Sequence, residues 1–248
     1  MIVEAAHVTH PGRVRSDNED AVLVGNRLVA RVALTAPEAT QTAGLPAWFV
    51  VADGMGGEEH GEVASRETLA VLRDGLAAVN RPEEIEPLLG RARARLEAIA
   101  AEHRTRLGTT VAGLLLTAGG GIVFNVGDCR VYKLRGGFLN RLTRDHSLLE
   151  AAGAAGLPVG PAGVPRNIVT SAVMGGDPEP MQVFVRAVPV KTGDVFLVCC
   201  DGLWGALPVE KMEEACRAAT PSAIAAALLA AALPVSEDNI SAIVVRLG

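Results

Sequence analysis

Three apolar runs in this sequence stop at an aspartate: "FVVADG" at Asp53, "FNVGD" at Asp128 and "FLVCCDG" at Asp201. An acidic site precedes the last apolar run in "SEDNISAIVV", and another opens "DNEDAVLV" near residue 20. An isolated Asp-Gly after an apolar run is ordinarily a turn. Recurrence changes its meaning if antiparallel sheets set several such ends side by side. Two carboxylates about 4 Å apart then repel by about 4 kcal/mol at an effective dielectric of about 20, and such a cluster needs a counterion. Lys and Arg are sparse beside these aspartates, and no His or Cys accompanies them as zinc would require. A hard divalent cation with oxygen ligands, Mg2+ or Mn2+, is the natural choice. Two such ions about 3.5–4 Å apart share a carboxylate, lower the pKa of a bridging water and deliver it as hydroxide, which is hydrolytic chemistry.

The basic residues close to these sites lie in "GRVRSDNED". On an extended chain Arg13 and Arg15 point to one face, in the same parity as Asp17 and Glu19. A guanidinium beside a dimetal centre suits a phosphate ester, whose oxygens it binds bidentately. Either arginine alone is an ordinary solvated charge; next to the carboxylates, one of them is assigned to function. Cys129, Cys199, Cys200 and Cys216 lack metal-finger spacing and are expected to be reduced core thiols, with Cys199 and Cys200 on opposite faces of one strand.

The elements that must position these groups read as strands at "DAVLVG", "AWFVVA", "TTVAGLLLT", "GIVFNV", "RVYKLR", "MQVFVRAV", "DVFLVCC" and "ISAIVVRL". The stretch "GIVFNVGDCRVYKLRGGFLNRLT" predicts a meander of antiparallel hairpins. Helical periodicity appears in "GEVASRETLAVLRDGLAAV", "PEEIEPLLGRARARLEAIAAEHRTR", "PVEKMEEACRAA" and "PSAIAAALLAAAL". Strands in number with helices grouped between them predict an α+β fold of stacked antiparallel sheets with helix layers outside.

The chain has 248 residues, enough for a sizeable core, and a single domain is expected. With 49% hydrophobic and only 3% aromatic residues, the core must be built from Ala, Val and Leu. A net charge of -5 argues against a broad nucleic-acid footprint. The most apolar window, "AIAAALLAAALPV", reaches about half the ~20 residues a membrane span needs and predicts a core helix. The N-terminus lacks the pattern of a secretory signal, so no membrane and a cytoplasmic location are expected.

Taken together, "HPGRVRSDNEDAVLV", "VVADGMGGEEHGEVAS", "LGTTVAGLLL", "FNVGDCRVYKL", "LTRDHSL", "RNIVTSAVMGG", "VFLVCCDGLWGAL" and "SEDNISAIVV" resemble, in family order, the metal-dependent protein serine/threonine phosphatases of the PP2C (PPM) family in their compact bacterial form. The resemblance implies an α-β-β-α sandwich over residues 1–248 and hydrolysis of phosphoserine and phosphothreonine by a metal-bridged hydroxide. It implies two Mn2+ or Mg2+ ions and a third near Asp128. Asp53 would bridge the two ions, Gly54 and Glu19 would serve the second metal, and Asp201 and Asp238 the first. Asp20 would orient bound water, Asp128 would help to hold the third ion, and Arg15 would bind the phosphate. Thr109 and Thr110 match a structural pair. Asp145 and His146 lead into a flap, where His146 is a candidate proton donor with a structural turn residue as its alternative.

Two departures from the family pattern stand out. The flap-like "LLEAAGAAGLPVGPAGVPRNIVT" is short and lacks a charged helix, and residues 26–46 are longer than the family minimum, as an added hairpin or a loose surface loop. The alternative function is a catalytically weak PP2C-like phosphoprotein-binding or regulatory module. The expected partners are phosphorylated Ser/Thr proteins, targets of a Ser/Thr kinase, with the chain working as a monomer.

Overall fold

The computed structural model describes residues 2–56, 60–156 and 168–248. In chain order the elements are β1 (Ile2–His10), β2 (Ala21–Val24), β3 (Arg27–Ala30), β4 (Glu38–Ala43), β5 (Ala47–Met55), α1 (His60–Leu76), α2 (Ile85–His103), β6 (Leu107–Thr117), β7 (Gly120–Val126), β8 (Arg130–Arg135), β9 (Phe138–Arg141), α3 (Leu148–Ala154), β10 (Val173–Gly175), β11 (Phe184–Val188), β12 (Val195–Cys199), α4 (Asp201–Trp204), α5 (Val209–Ala215), α6 (Pro221–Ala232) and β13 (Ile240–Leu247). One sheet runs β4-β1-β13-β12-β8-β9, the other β11-β7-β6-β5-β2-β3 with β10 on β6, and every pairing is antiparallel.

Side-chain alternation divides the apolar residues into three layers. On β5, Trp48, Val50 and Ala52 pack under α1 and α2 with Leu69, Leu72 and Leu89, while Phe49 and Val51 face between the sheets. On β12, Phe196, Val198 and Cys200 meet that middle layer, and Leu197 and Cys199 pack on the other side with Leu203, Ile224 and Leu228. The result is the expected α-β-β-α order. Cys199 and Cys200 face opposite ways, and all four cysteines are buried and free. The Ala-rich window is α6, started by Pro221 and by Thr220, whose side chain accepts the Ala223 amide. It buries Ile224, Leu228 and Leu229 against the first sheet. No described helix is long and apolar enough to cross a membrane.

The structure departs from the sequence expectations in three places. The first is the meander. β6–β7 and β8–β9 are hairpins, but β7 and β8 belong to different sheets, so the chain crosses the sandwich at Gly127–Cys129. Second, residues 26–46 are neither one added hairpin nor a loose loop. They supply β3 to the edge of one sheet and β4 to the edge of the other. Glu38 on β4 lies within 2.5 Å of Arg27 on β3, so an ion pair links the two edges. Third, β1 carries no alternating pattern because layers cover both its faces, with Val3 and Ala5 between the sheets and Ala6 and Val8 under helices. The central part of the flap, 157–167, lies outside the described residues, as do Gly57, Glu58 and Glu59 of the glycine-rich stretch.

At the start of β12 the structure buries a satisfied charge pair. Lys133 Nζ donates to Asp194 Oδ2 at 2.5 Å and to the Pro189 carbonyl at 2.9 Å, with side chains only 8% and 6% exposed. Lys133→Met leaves the Asp194 carboxylate buried without its cation and is expected to cost about 3–5 kcal/mol in denaturant unfolding. Activity per folded molecule should not change, since Asp201 lies at the other end of that strand. A loss below about 1 kcal/mol would show that water already reaches the pair.

Candidate metal centre

The acidic residues meet for a topological reason. In one sheet Ala21 lies opposite Ala52, Ala52 opposite Val111 and Val111 opposite Val126, so the start of β2 and the ends of β5 and β7 share one margin. In the other sheet His10 lies opposite Ile240, and Cys199 lies opposite both Ala242 and Arg130. Glu19 and Asp20 precede β2, Asp53 is near the end of β5, Asp128 follows β7, Asp201 follows β12 and Asp238 precedes β13. Asp53 keeps the parity of Phe49 and Val51, which turns its carboxylate toward the gap between the sheets.

Hydrogen bonds hold the backbone of each segment. The Asn239 carboxamide accepts the Glu19 amide at 2.8 Å and donates to the Pro11 and Asp17 carbonyls at 3.1 and 2.9 Å. Ser65 of α1 donates to the Glu19 carbonyl at 2.6 Å. Thr109 donates to the Asp53 carbonyl at 2.7 Å, and the Thr110 hydroxyl lies 3.1 Å from Cys129 Sγ. Gly54 and Gly61 permit close approach of β5, α1 and the 19–20 segment: a Cβ on Gly54 would sit 2.1 Å from the Gly61 carbonyl oxygen, and one on Gly61 would sit 2.5 Å from Glu19 Oε1. The need for glycine at position 54 therefore lies in backbone contact.

The carboxylates are in electrostatic conflict. Burial pushes Asp20 up to about 7, with Asp201 and Asp238 adding to the rise. Ser241 and Cys200 lie alongside and oppose it, but neither makes a well-formed hydrogen bond, and both carboxylate oxygens of this 1% exposed residue are unpartnered. Burial and then Asp201 and Asp145 push Asp128 up to about 7. Asp53 is raised well above the usual carboxylate range by burial and by Asp20, Asp201, Asp128 and Asp238. Asp201 is raised by burial and by Asp238, offset in part by its contact with the Asp53 carboxyl. Asp53 and Asp201 are half-buried and nonetheless desolvated by the protein packed around them. Glu19 is raised chiefly by burial, with Arg15 acting against it.

Arg15 Nη2 donates to Asp238 Oδ2 at 3.0 Å and Arg13 Nη2 to Glu237 Oε1 at 3.3 Å. Residues 12–17 form a turn and a bend, not an extended strand, so the two arginines separate onto successive acids and only Arg15 reaches the cluster. Asp145 is buried in ion pairs with Arg130 and Arg141. The Arg130 guanidinium lies 3.3 Å from the centre of the Trp204 ring, and the Trp204 indole donates to the Asp128 carbonyl at 3.0 Å. His146 pairs with the same loop: its Nδ1 accepts the Gly127 amide at 3.1 Å and its own amide donates to the Gly127 carbonyl at 2.9 Å. Burial lowers its pKa, so the imidazole is mainly neutral, with its proton on Nε2.

The donor set fits hard cations. Five Asp and one Glu bring carboxylate oxygens to one mouth, the donor type hard cations take, and Asp20 offers two buried oxygens with no protein partner. The thiols behind them, Cys129 and Cys200, are pushed well above their usual range by burial and the neighbouring aspartates, which keeps them protonated and unsuited to ligation. Among the described residues, no three His, Cys, Asp or Glu side chains already form a coordination cage. Without a cation the carboxylates rely on protons and Arg15.

Asn239, Ser65, Trp204 and Arg130 are absent from the sequence-derived site. Asn239 carried one local signal, its place directly after Asp238 and before a strand; the others act across the fold.

This conflict sets the stability of the chelated protein. A carboxylate whose folded pKa is raised from 3.8 to about 7 binds protons preferentially in the native state. Its contribution is fully present below the unfolded pKa and is lost as pH rises through the folded one. In excess chelator, the melting temperature is expected to fall between about pH 4 and about pH 7. Asp20→Asn should flatten that fall. A melting temperature that climbs across this range in the wild type would remove the buried repulsion.

Comparison with known proteins agrees with this geometry. The family model described as Protein phosphatase 2C matches residues 36–233. The serine/threonine phosphatase stp of Listeria monocytogenes is 32% identical over 176 residues, covering 66% of this chain and 69% of the relative. The crystal structure of the Mycobacterium tuberculosis serine/threonine phosphatase PstP/Ppp superposes with a TM-score of 0.82 at 24% identity, covering 100% of this chain and 99% of that one. The catalytic domain of PstP in complex with two manganese ions gives a TM-score of 0.79 at 24% identity, over 99% of each chain. With most of its length matched by the family model, its sandwich shared with solved relatives and its carboxylates gathered at one mouth, the chain belongs to the protein phosphatase 2C family.

Proposed function

We propose that this protein is a metal-dependent phosphatase that removes phosphate from phosphoserine and phosphothreonine in proteins. The observation that carries the proposal is the Asp20 carboxylate, buried with two unpartnered oxygens beside Asp53, Asp201 and Asp238, the last of which holds the Arg15 guanidinium. Such a group has no stabilising role in an empty fold. Support also comes from the family and from the relatives' names.

On this proposal Asp53, Gly54 through its carbonyl, Glu19, Asp201 and Asp238 hold two ions, Asp128 helps with a third, and Asp20 orients water. Bound there, Mn2+ or Mg2+ would supply the Lewis acidity that makes water a nucleophile near neutral pH. Arg15 stands 53% exposed at the rim, where its guanidinium can leave Asp238 and grip two oxygens of a phosphate monoester. His146 holds the Gly127–Asp128 loop; with Nδ1 occupied and the ring neutral, positioning suits it better than donation of a proton. Arg130, through Trp204, steadies the Asp128 carbonyl. The substrates would be products of a Ser/Thr kinase, and the working form a cytosolic monomer. The net charge of -5 favours protein over nucleic acid as partner.

EDTA is expected to abolish hydrolysis of p-nitrophenyl phosphate and of a phosphothreonine peptide, and added Mn2+ to restore both. Full turnover in chelator would refute the metal mechanism. Asp53→Asn should lose Mn2+ binding by calorimetry together with rate. Arg15→Ala should leave Mn2+ binding intact and lower kcat/KM by about 10- to 100-fold, the worth of hydrogen bonds to a charged group. Wild-type kinetics in that variant would exclude Arg15 from phosphate recognition.

A further inference from the structure

Arg15 lines two clefts. One, of about 640 Å³, has Arg31, His60, Glu62 and His103 on its walls together with Val63 and Ile99, which are half-buried and buried. The other, of about 660 Å³, runs past Asp201 and Asp238 and carries Val14 and Val235. Among the described residues these two valines are notably exposed for large aliphatics, 58% and 52%. Gly202, Gly205 and Ala206 also line that cleft, and none of them presents more than a methyl group.

The valines stand on segments that are fastened together. Gly12 sits at φ +81 against the Asp238 carbonyl oxygen, where a Cβ would come within 2.3 Å. Arg13 pairs with Glu237 and Arg15 with Asp238, and the Asn239 carboxamide ties Pro11 to Asp17. A single exposed valine on a surface needs no explanation. Two held in place in one cleft with small residues and the phosphate-binding arginine form a preorganised apolar patch beside the acids of that cleft.

We propose that the Val14–Val235 cleft is the subsite for an aliphatic side chain close in sequence to the phosphorylated Ser or Thr of the substrate; this rests on the assignment of phosphate to Arg15. An extended substrate advances about 3.3 Å per residue, so a phosphate at Arg15 places a near neighbour in the cleft. Continuity with the phosphate site selects this occupant.

The test compares phosphothreonine peptides that differ only in carrying Leu or Ser at each position flanking the phosphothreonine, with p-nitrophenyl phosphate as a reference too small to reach the patch. In the Mn2+-loaded wild type, one Leu position should raise kcat/KM about 10-fold over its Ser counterpart. In Val14→Ser/Val235→Ser that preference should vanish, with the peptide rate falling relative to p-nitrophenyl phosphate. Ala206→Leu, which adds bulk to the cleft and leaves the valines unchanged, should abolish the preference independently and serves if the double variant does not fold. Equal turnover of all peptides by the wild type, or a preference that survives both changes, overturns the subsite and leaves the phosphatase assignment standing. Absence of turnover of every substrate with Mn2+ present overturns that assignment itself.

Discussion

Like charge confined at the mouth of two sheets is the constraint around which the molecule is built. Asp20, Asp53, Asp128 and Asp201 each have their carboxyl pushed up by burial, and each is raised further by at least one neighbouring aspartate. Such groups would normally swing out to water. Here the backbones that carry them are fixed: Asn239 holds the 11–19 segment, Ser65 the Glu19 carbonyl, Thr109 the Asp53 carbonyl and Trp204 the Asp128 carbonyl. The apolar layers above and below the sheets supply the favourable free energy against which this conflict is maintained. A cation resolves it, so binding and stability are linked.

The two ends of the sandwich follow opposite electrostatic rules. At the start of β12, Lys133 and Asp194 neutralise each other out of water, with Lys191 adding its amide. At the other end of the same strand, Asp201 faces further acids. The first arrangement satisfies its groups within the protein. The second leaves oxygens that only something from outside can satisfy, and such oxygens mark a working site more clearly than acidity alone. Around that site Arg130, stacked on Trp204 and clamped by Asp145, transmits the rigidity of a buried ion pair to the loop that carries Asp128.

Much of the fold was legible because periodicity reports what a segment buries. The strands at β5, β6, β12 and β13 and the helices α1, α2 and α6 lie where their apolar patterns put them. β1 was hidden because both its faces are covered, and β4 because the edge strand "EATQTA" is polar. The crossing at Gly127–Cys129 was hidden for another reason: a two- or three-residue link looks the same whether it turns a hairpin or passes to a second sheet.

By itself the sequence determined the chemical inventory: carboxylates at the ends of apolar runs, an arginine ahead of "NED", and cysteines without ligand spacing. Side-chain type and strand parity are local properties, and they survive without a fold. The family pattern already favoured Arg15 over Arg13; the structure supplied the physical reason, a turn at residues 12–14 that breaks the parity which made them equivalent and leaves only Arg15 on Asp238. Tertiary structure alone left Asp20 without partners, tied His146 to the Gly127 amide and brought Val14 and Val235 to one cleft. Each of these depends on contacts between residues 19 to more than 200 positions apart, or on burial, and free energies of that kind exist only once the chain has folded.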